Sequence, residues 1–189
     1  VNTEEQELID ACLAGQTEAF GELVVRYQDR LYNGLYGVLG SSDDAREIAQ
    51  EAFVHAFEKL NTFQGKSAFY SWLYRIALNA AISRKRKDKR MVGSVESARE
   101  ATGLEPQDHR PDAEPAYPAE VCEKQDMVRL ALAELSEEFR TVLVLKEIED
   151  MKYEEISEIV GCPVGTVRSR IHRARSELRR KLSVILKED

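Results

Sequence analysis

Between Val164 and Lys187, six arginines, Arg168, Arg170, Arg173, Arg175, Arg179 and Arg180, are interleaved with Val167, Ile171, Ala174, Leu178 and Leu182. The apolar set steps by four, three, four and four, so at helical pitch it collects on one face and leaves guanidinium groups over much of the rest. The chemistry on offer is non-covalent: arginine's planar fork pairs bidentately with guanine or with phosphate. Gly165 and Thr166 fall in the first turn, where backbone amides and a hydroxyl suit a phosphate. A second stretch, FQGKSAFYSWLYRIALN from Phe63 to Asn79, sets Phe69, Tyr70, Trp72 and Tyr74 beside Arg75, and Arg84-Lys85-Arg86-Lys87 follows it. Aromatic faces next to cations make a platform for unpaired bases, each stack contributing about 1–3 kcal/mol.

Covalent chemistry finds little support. No paired carboxylates, nucleophile with a base, or metal cluster stands out, so the expectation is a non-enzyme without cofactor or metal. Gly65-Lys66-Ser67 superficially looks like a phosphate-binding loop, but the glycine that motif requires falls at Leu60 and no parallel-sheet pattern precedes it. Cys12, Cys122 and Cys162 are far apart and form no CxxC or Cys/His pair, which reads as reduced, structural thiols. No run of eighteen apolar residues exists, and the first fifteen residues carry four acids and no basic segment; a cytoplasmic protein without a membrane span or signal peptide is expected.

The net charge of −7 conceals a sharp division along the chain. Residues 1–63 hold 4 basic and 12 acidic side chains, 64–92 hold 8 and 1, 93–160 hold 7 and 18, and 161–187 hold 8 and 1. Two compact basic islands in an acidic chain are the footprint of contact with nucleic acid at two separated places.

The elements that must position these islands are helical throughout, and an all-α fold of two small domains is expected. Leu8, Ile9, Cys12 and Leu13 mark a short helix ended by Gly15. Thr17 can cap a long second helix running through Phe20, Leu23, Leu31, Leu35 and Val38. Asp43 can cap a third, whose stripe is Ile48, Ala49, Ala52, Phe53, Ala56, Phe57 and Leu60. A fourth follows Ser67 to about Arg90, with Phe69, Leu73, Ile76 and Ala80 on its stripe, Trp72 at the border, and Tyr70 and Tyr74 projecting off it. Periodicity then lapses, and Pro106, Pro111, Pro115 and Pro118 point to a flexible acidic linker. It returns with Val128, Ala131, Leu132 and Leu135, continues through Phe139, Val142, Leu143 and Leu145, and begins a further unit at Tyr153. There Gly161 suits a tight bend between crossed helices, with Pro163 in the first turn of the second helix and Cys162 at its cap. This is the layout of a helix-turn-helix, whose second helix enters the major groove. The domains are accordingly placed at 1–92 and 123–189, with the linker at 93–122.

MKYEEISEIVGCPVGTVRSRIHRAR closely resembles the region-four signature of bacterial sigma factors of the extracytoplasmic-function class. The resemblance implies binding of the minus-thirty-five promoter element, with Arg168, Ser169, His172 and Arg173 facing bases and Thr166 and Arg175 serving phosphates. Ser157 stands where many helix-turn-helix proteins carry alanine. FQGKSAFYSWLYRIALN resembles regions 2.3 and 2.4 of the same class, which help melt the minus-ten element and hold a flipped non-template base. That implies a pocket from the loop Phe63 to Ser67 with Phe69, Tyr70 and Asn79, flanked by Arg75, Arg84 and Lys85. Trp72 is either a wedge against the duplex edge or core. DAREIAQEAFVHAFEKL resembles region 2.2, implying that Asp44, Glu47, Gln50 and Glu51 dock on the clamp helices of the polymerase largest subunit. The implied partners are core RNA polymerase (clamp helices and flap), promoter DNA and an anti-sigma factor, which in this class is often membrane-bound. The implied role is transcription initiation, in a stress or envelope response. The linker length matches the class, whose linkers thread the polymerase channel, where an acidic segment could mimic nucleic acid. The rivals are a helix-turn-helix activator or repressor acting alone, and a pure interaction module.

Overall fold

The computed structural model describes the backbone of residues 3–96 and 127–188, with side chains to 87 in the first stretch and 184 in the second. Among the described residues the chain is helical without strands: α1 (Thr3–Leu13), α2 (Glu18–Leu39), α3 (Ser42–Glu58), a 3-10 turn (Leu60–Thr62), α4 (Phe69–Glu96), α5 (described over 127–133), α6 (Glu137–Glu147), α7 (Tyr153–Val160) and α8 (Val164–Glu188). Cys122 and most of the expected linker lie outside these residues.

Local chemistry shifts several boundaries. Ser41, not Asp43, caps α3: its backbone is extended and its Oγ accepts from the Asp44 amide at 3.3 Å. Asp43 and Asp44 then fall in the first turn, where carboxylates complement the helix dipole. Thr17 precedes α2 but makes no side-chain cap, because its own backbone is already helical. Left-handed Gly40 and Gly161 end α2 and α7, a conformation that glycine adopts without a Cβ penalty. The run expected to continue from Val128 through Leu145 is broken at Ser136, whose hydroxyl caps α6. The fourth helix continues past Arg90 to Glu96. Pro163 sits one position earlier than expected: α8 begins at Val164, and the Pro163 carbonyl accepts from the Thr166 and Val167 amides at 2.8 and 3.0 Å.

In the N-terminal half α1, α2, α3 and α4 pack in sequence; in the C-terminal half α6 and α7 both lie on α8. The halves also meet, α2 against α6 and α4 against α7. One apolar core runs through both, joining Leu23, Leu35, Ile48 and Leu73 to Val144, Leu145, Ile156 and Ile171, while Leu132, Leu135, Leu143 and Ala174 form a smaller cluster. Two glycines inside α2 permit the close approach. A Cβ on Gly34 would run into Glu149 Oε1 and lie 2.8 Å from Tyr74 Cε2, and one on Gly37 would lie 3.3 Å from Val144 Cγ2. A helix-interior glycine costs roughly 0.5–1 kcal/mol relative to alanine, so two on one face mark a surface shaped for a neighbour.

Candidate nucleic-acid and polymerase interfaces

The turn between α7 and α8 is fixed from both sides. Gly161 takes φ 67°, and the Ser157 Oγ donates to the Cys162 carbonyl at 2.6 Å. Ser157 thus does more than fit where alanine would: its hydroxyl closes the bend. Val167, Ile171 and Ala174 are buried, which turns the opposite face of α8 outward. Arg168, Ser169, His172, Arg173 and Arg175 are exposed there, and Thr166 is half-buried at the helix start. The Arg168 guanidinium lies 5.7 Å from the centre of the Tyr153 ring, which tethers it without using its donors. Ser169 donates to the Thr166 carbonyl at 2.9 Å. Arg175 is engaged by Glu147, Nη2 to Oε1 at 2.6 Å, and that hydrogen bond raises its already high pKa. Arg170 leaves the group: half-buried, it turns back to Glu138 at 2.8 Å.

The arrangement around α4 is different. Phe63, Phe69 and Trp72 form an aromatic cluster with ring centres 5.2–5.8 Å apart. Phe69 and Trp72 are buried, so both serve as core in this conformation, whereas Phe63 and Ser67 are half-buried at the loop. Tyr70 and Tyr74 do not project from the bundle as their spacing suggested; they are 5% and 0% exposed. Burial follows from neighbours on two sides. Tyr27 stacks on Tyr70 at 5.4 Å and the Arg30 guanidinium sits 4.1 Å from the Tyr70 ring centre, while the Glu149 carboxylate comes in beside Tyr74. The Tyr74 hydroxyl has no hydrogen-bond partner among the described residues, and burial together with the Glu149 charge pushes both phenols well above their ordinary range. Arg75 and Asn79 remain exposed, one turn apart on α4.

Asp44, Glu47, Gln50 and Glu51 are exposed along α3. Two of them meet Arg84, a residue expected at DNA, which reaches Glu47 at 2.6 Å and Asp44 at 3.9 Å. Glu51 instead pairs with His55 at 3.3 Å. Lys85 pairs with Glu137 of α6. The surfaces expected for polymerase and for DNA therefore share an edge. Among the described residues no group of His, Cys, Asp and Glu could hold a metal, and no helix is long and apolar enough to cross a membrane.

What sequence reasoning missed is the cluster of Arg30, Gly34 and Glu149. Arg30 donates from Nε to Glu149 Oε2 and from Nη2 to the Glu149 carbonyl, each at 2.9 Å. The signal available was the pair of glycines three residues apart inside a helix.

Comparison with known proteins covers both halves. Residues 23–91 match the family model Sigma-70 region 2, and residues 125–178 match Sigma-70, region 4. The chain is similar to the RNA polymerase sigma-H factor of Pseudomonas aeruginosa, 36% identical over 187 residues, covering 98% of this chain and 97% of that protein. It is also similar to the ECF RNA polymerase sigma-E factor of Haemophilus influenzae, 35% identical over 184 residues, covering 96% and 97%. Among solved structures it resembles the sigma factor RpoE in complex with the anti-sigma factor NepR from Bartonella quintana, with TM-score 0.70, 25% identity, and 87% of this chain and 97% of that one covered.

Proposed function

The chain belongs to the extracytoplasmic-function sigma factors of the sigma-70 family, proteins of transcription initiation that are not enzymes, and from that premise we propose how its surfaces divide the work. Residues 123–189 read the minus-thirty-five element as duplex. Arg168, Ser169, His172 and Arg173 face base edges, and Thr166 and Arg175 hold phosphates. Residues 1–92 act on the minus-ten element, with the Phe63–Ser67 loop and Asn79 receiving an extruded base and Arg75, Arg84 and Lys85 following the strand. Phe69, Tyr70 and Trp72 line that pocket only after the neighbours that bury them have moved. Asp44, Glu47, Gln50 and Glu51 dock on the clamp helices of the polymerase largest subunit, the C-terminal domain meets the flap, and the linker at 93–122 lies between.

The observation that carries this division is the α8 face, where the proposed base-reading side chains point away from the buried Val167–Ile171–Ala174 stripe. An anti-sigma factor is the proposed regulator, supported by the complex in which the similar RpoE is found. A membrane-anchored regulator, a stress or envelope signal and a cytoplasmic site of action accord with the class. Reconstitution with core RNA polymerase tests the whole: the chain should direct run-off transcription from a cognate promoter and bind that duplex weakly when alone. Tight, specific duplex binding without polymerase, and no initiation with it, would instead identify an activator or repressor.

A further inference from the structure

We propose that Tyr153, the first residue of α7, is a positioning residue for promoter recognition: its ring holds Arg168 in the orientation in which that arginine reads a base edge. The proposal rests on the assignment of Arg168 to base edges and extends recognition to a residue outside the recognition helix. The Arg168 guanidinium lies 5.7 Å from the ring centre, within the roughly 6 Å over which the negative face of an aromatic ring attracts a cation. Among the described residues the Arg168 side chain makes no hydrogen bond or ion pair, so the ring is what orients it.

Carboxylates near this corner of the fold are already engaged elsewhere. Glu147 Oε1 accepts from Arg175 Nε and Nη2 at 2.9 and 2.6 Å, and Asp150 Oδ1 accepts from Lys146 Nζ at 3.4 Å. The difference matters for recognition. A carboxylate would occupy the N–H donors that a bidentate pair with guanine needs, whereas a ring face attracts the charge and leaves all of them unused. The ring itself is firmly held. Tyr153 is half-buried against the core, and Ile156, one turn further along α7, is buried. The Lys152 amide donates to Glu155 Oε2 at 2.9 Å, which fixes the first turn of α7. Lys146 Nζ, 5.8 Å from the ring centre, donates to the Met151 carbonyl at 3.1 Å and so ties α6 to the loop that precedes Tyr153.

Tyr153 meets one edge of α8 only. Arg175 lies on that edge, two turns beyond Arg168, where the hydrogen bond and charge of Glu147, with a smaller contribution from Tyr153, raise its pKa. Arg173 lies about 140° around the helix from Arg168, at 3.6 residues per turn, and makes no ring contact among the described residues. Two exposed arginines of the same chemistry are therefore presented differently. Arg168 is oriented before DNA arrives, while Arg173 becomes ordered only on contact. Orienting a long side chain in advance lowers the ordering cost of binding, and it favours the one base whose edge fits that orientation.

Competition binding with reconstituted holoenzyme, using duplex promoters that carry each single base-pair change across the minus-thirty-five element, tests this. Tyr153→Leu keeps an apolar side chain against the core and removes the ring. It should lower discrimination about fivefold at the one base pair that Arg168→Ala also relaxes, the size expected of one exposed cation–π contact. The base pair read by Arg173 should stay within about twofold of wild type, as for independent sites. Tyr153→Phe, which keeps the ring and loses the hydroxyl, should retain discrimination within about twofold. Added to Arg168→Ala, Tyr153→Leu should cost nothing more, because the two changes remove one shared contact. A uniform loss at every base pair, or equal losses from Tyr153→Leu and Tyr153→Phe, would make Tyr153 a phosphate contact or a support of the fold and overturn the proposal. Undiminished discrimination in Tyr153→Leu, where Arg168→Ala relaxes a base pair, overturns the positioning role alone. Arg168→Ala without relaxation at any base pair removes the base-reading assignment of Arg168, and the proposal with it.

Discussion

The two basic islands have the same charge balance, 8 basic and 1 acidic side chains each, yet their helices are used in opposite ways. Helix α8 buries one stripe, Val167, Ile171 and Ala174, flanks it with half-buried Arg170 and Leu178, and exposes Arg168, Ser169, His172 and Arg173 to solvent. Helix α4 is covered on nearly every side through Ala80: Phe69, Leu73, Tyr74, Ala77 and Leu78 are all buried, along with Tyr70, Ser71 and Trp72. A cationic helix is thus not one kind of object. On α8 the cations are the surface and the apolar groups anchor it. On α4 the aromatics are held inside, and among the described residues Arg75, Asn79, Ile82, Ser83 and the basic residues from Lys85 to Lys87 face outward.

The contrast can be broken most forcefully in the core. Leu73→Ala, at a fully buried site of α4, should lower stability by about 2–5 kcal/mol in chemical denaturation. Arg173→Ala, on the open face of α8, should leave stability within about 0.5 kcal/mol. If both cost the same, the two helices are not used differently. Arg173→Ala should act on recognition instead, losing about 1–3 kcal/mol of discrimination at one upstream base pair in competition binding with holoenzyme. A uniform loss across sequences would make that arginine a phosphate contact. Asn79→Ala should weaken opening of duplex templates about fivefold, the equivalent of one hydrogen bond at about 1 kcal/mol, while premelted templates recover its melting component. Equal defects on both templates would place Asn79 in base recognition or folding.

The smallest effect concerns the polar groups beneath α4. Burial, reinforced by the hydrogen bond to Glu5, pushes the Tyr27 phenol up to about 12. The unfolded chain would release that proton near 10, so the stabilisation is complete below pH 10 and is lost as pH rises toward 12. Tyr27→Phe should flatten that alkaline decline, as followed by thermal melts between pH 9 and 12.

These differences also explain which features were legible in the sequence. The helix-turn-helix was readable because one periodic stripe and one bend determine it, and Gly161 with the Val167–Ile171–Ala174 spacing encodes both locally. Exposure of Arg168, His172 and Arg173 follows from that stripe. The fate of Tyr70 and Tyr74 was not readable, because it depends on Arg30 and Glu149, residues 119 apart in sequence. Arg170 had the same spacing credentials as its neighbours but faces Glu138, a choice made by packing of α6 on α8. The α3 cap was placed at Asp43 because its side chain is competent, and the extended backbone that puts the cap at Ser41 instead is not visible in side-chain types. The best unused clue was the Gly34 and Gly37 pair, which a solitary helix has no reason to carry.

The central claim is that α8 holds duplex DNA while the α4 region holds an opened strand. Permanganate footprinting of a cognate promoter with reconstituted holoenzyme measures this directly. Thymines of the minus-ten element should become reactive and those of the minus-thirty-five element should stay protected, with the minus-ten signal reduced by Asn79→Ala and not by changes confined to base discrimination at α8. Reactive thymines at the upstream element, or no opening at the downstream one, would contradict the account.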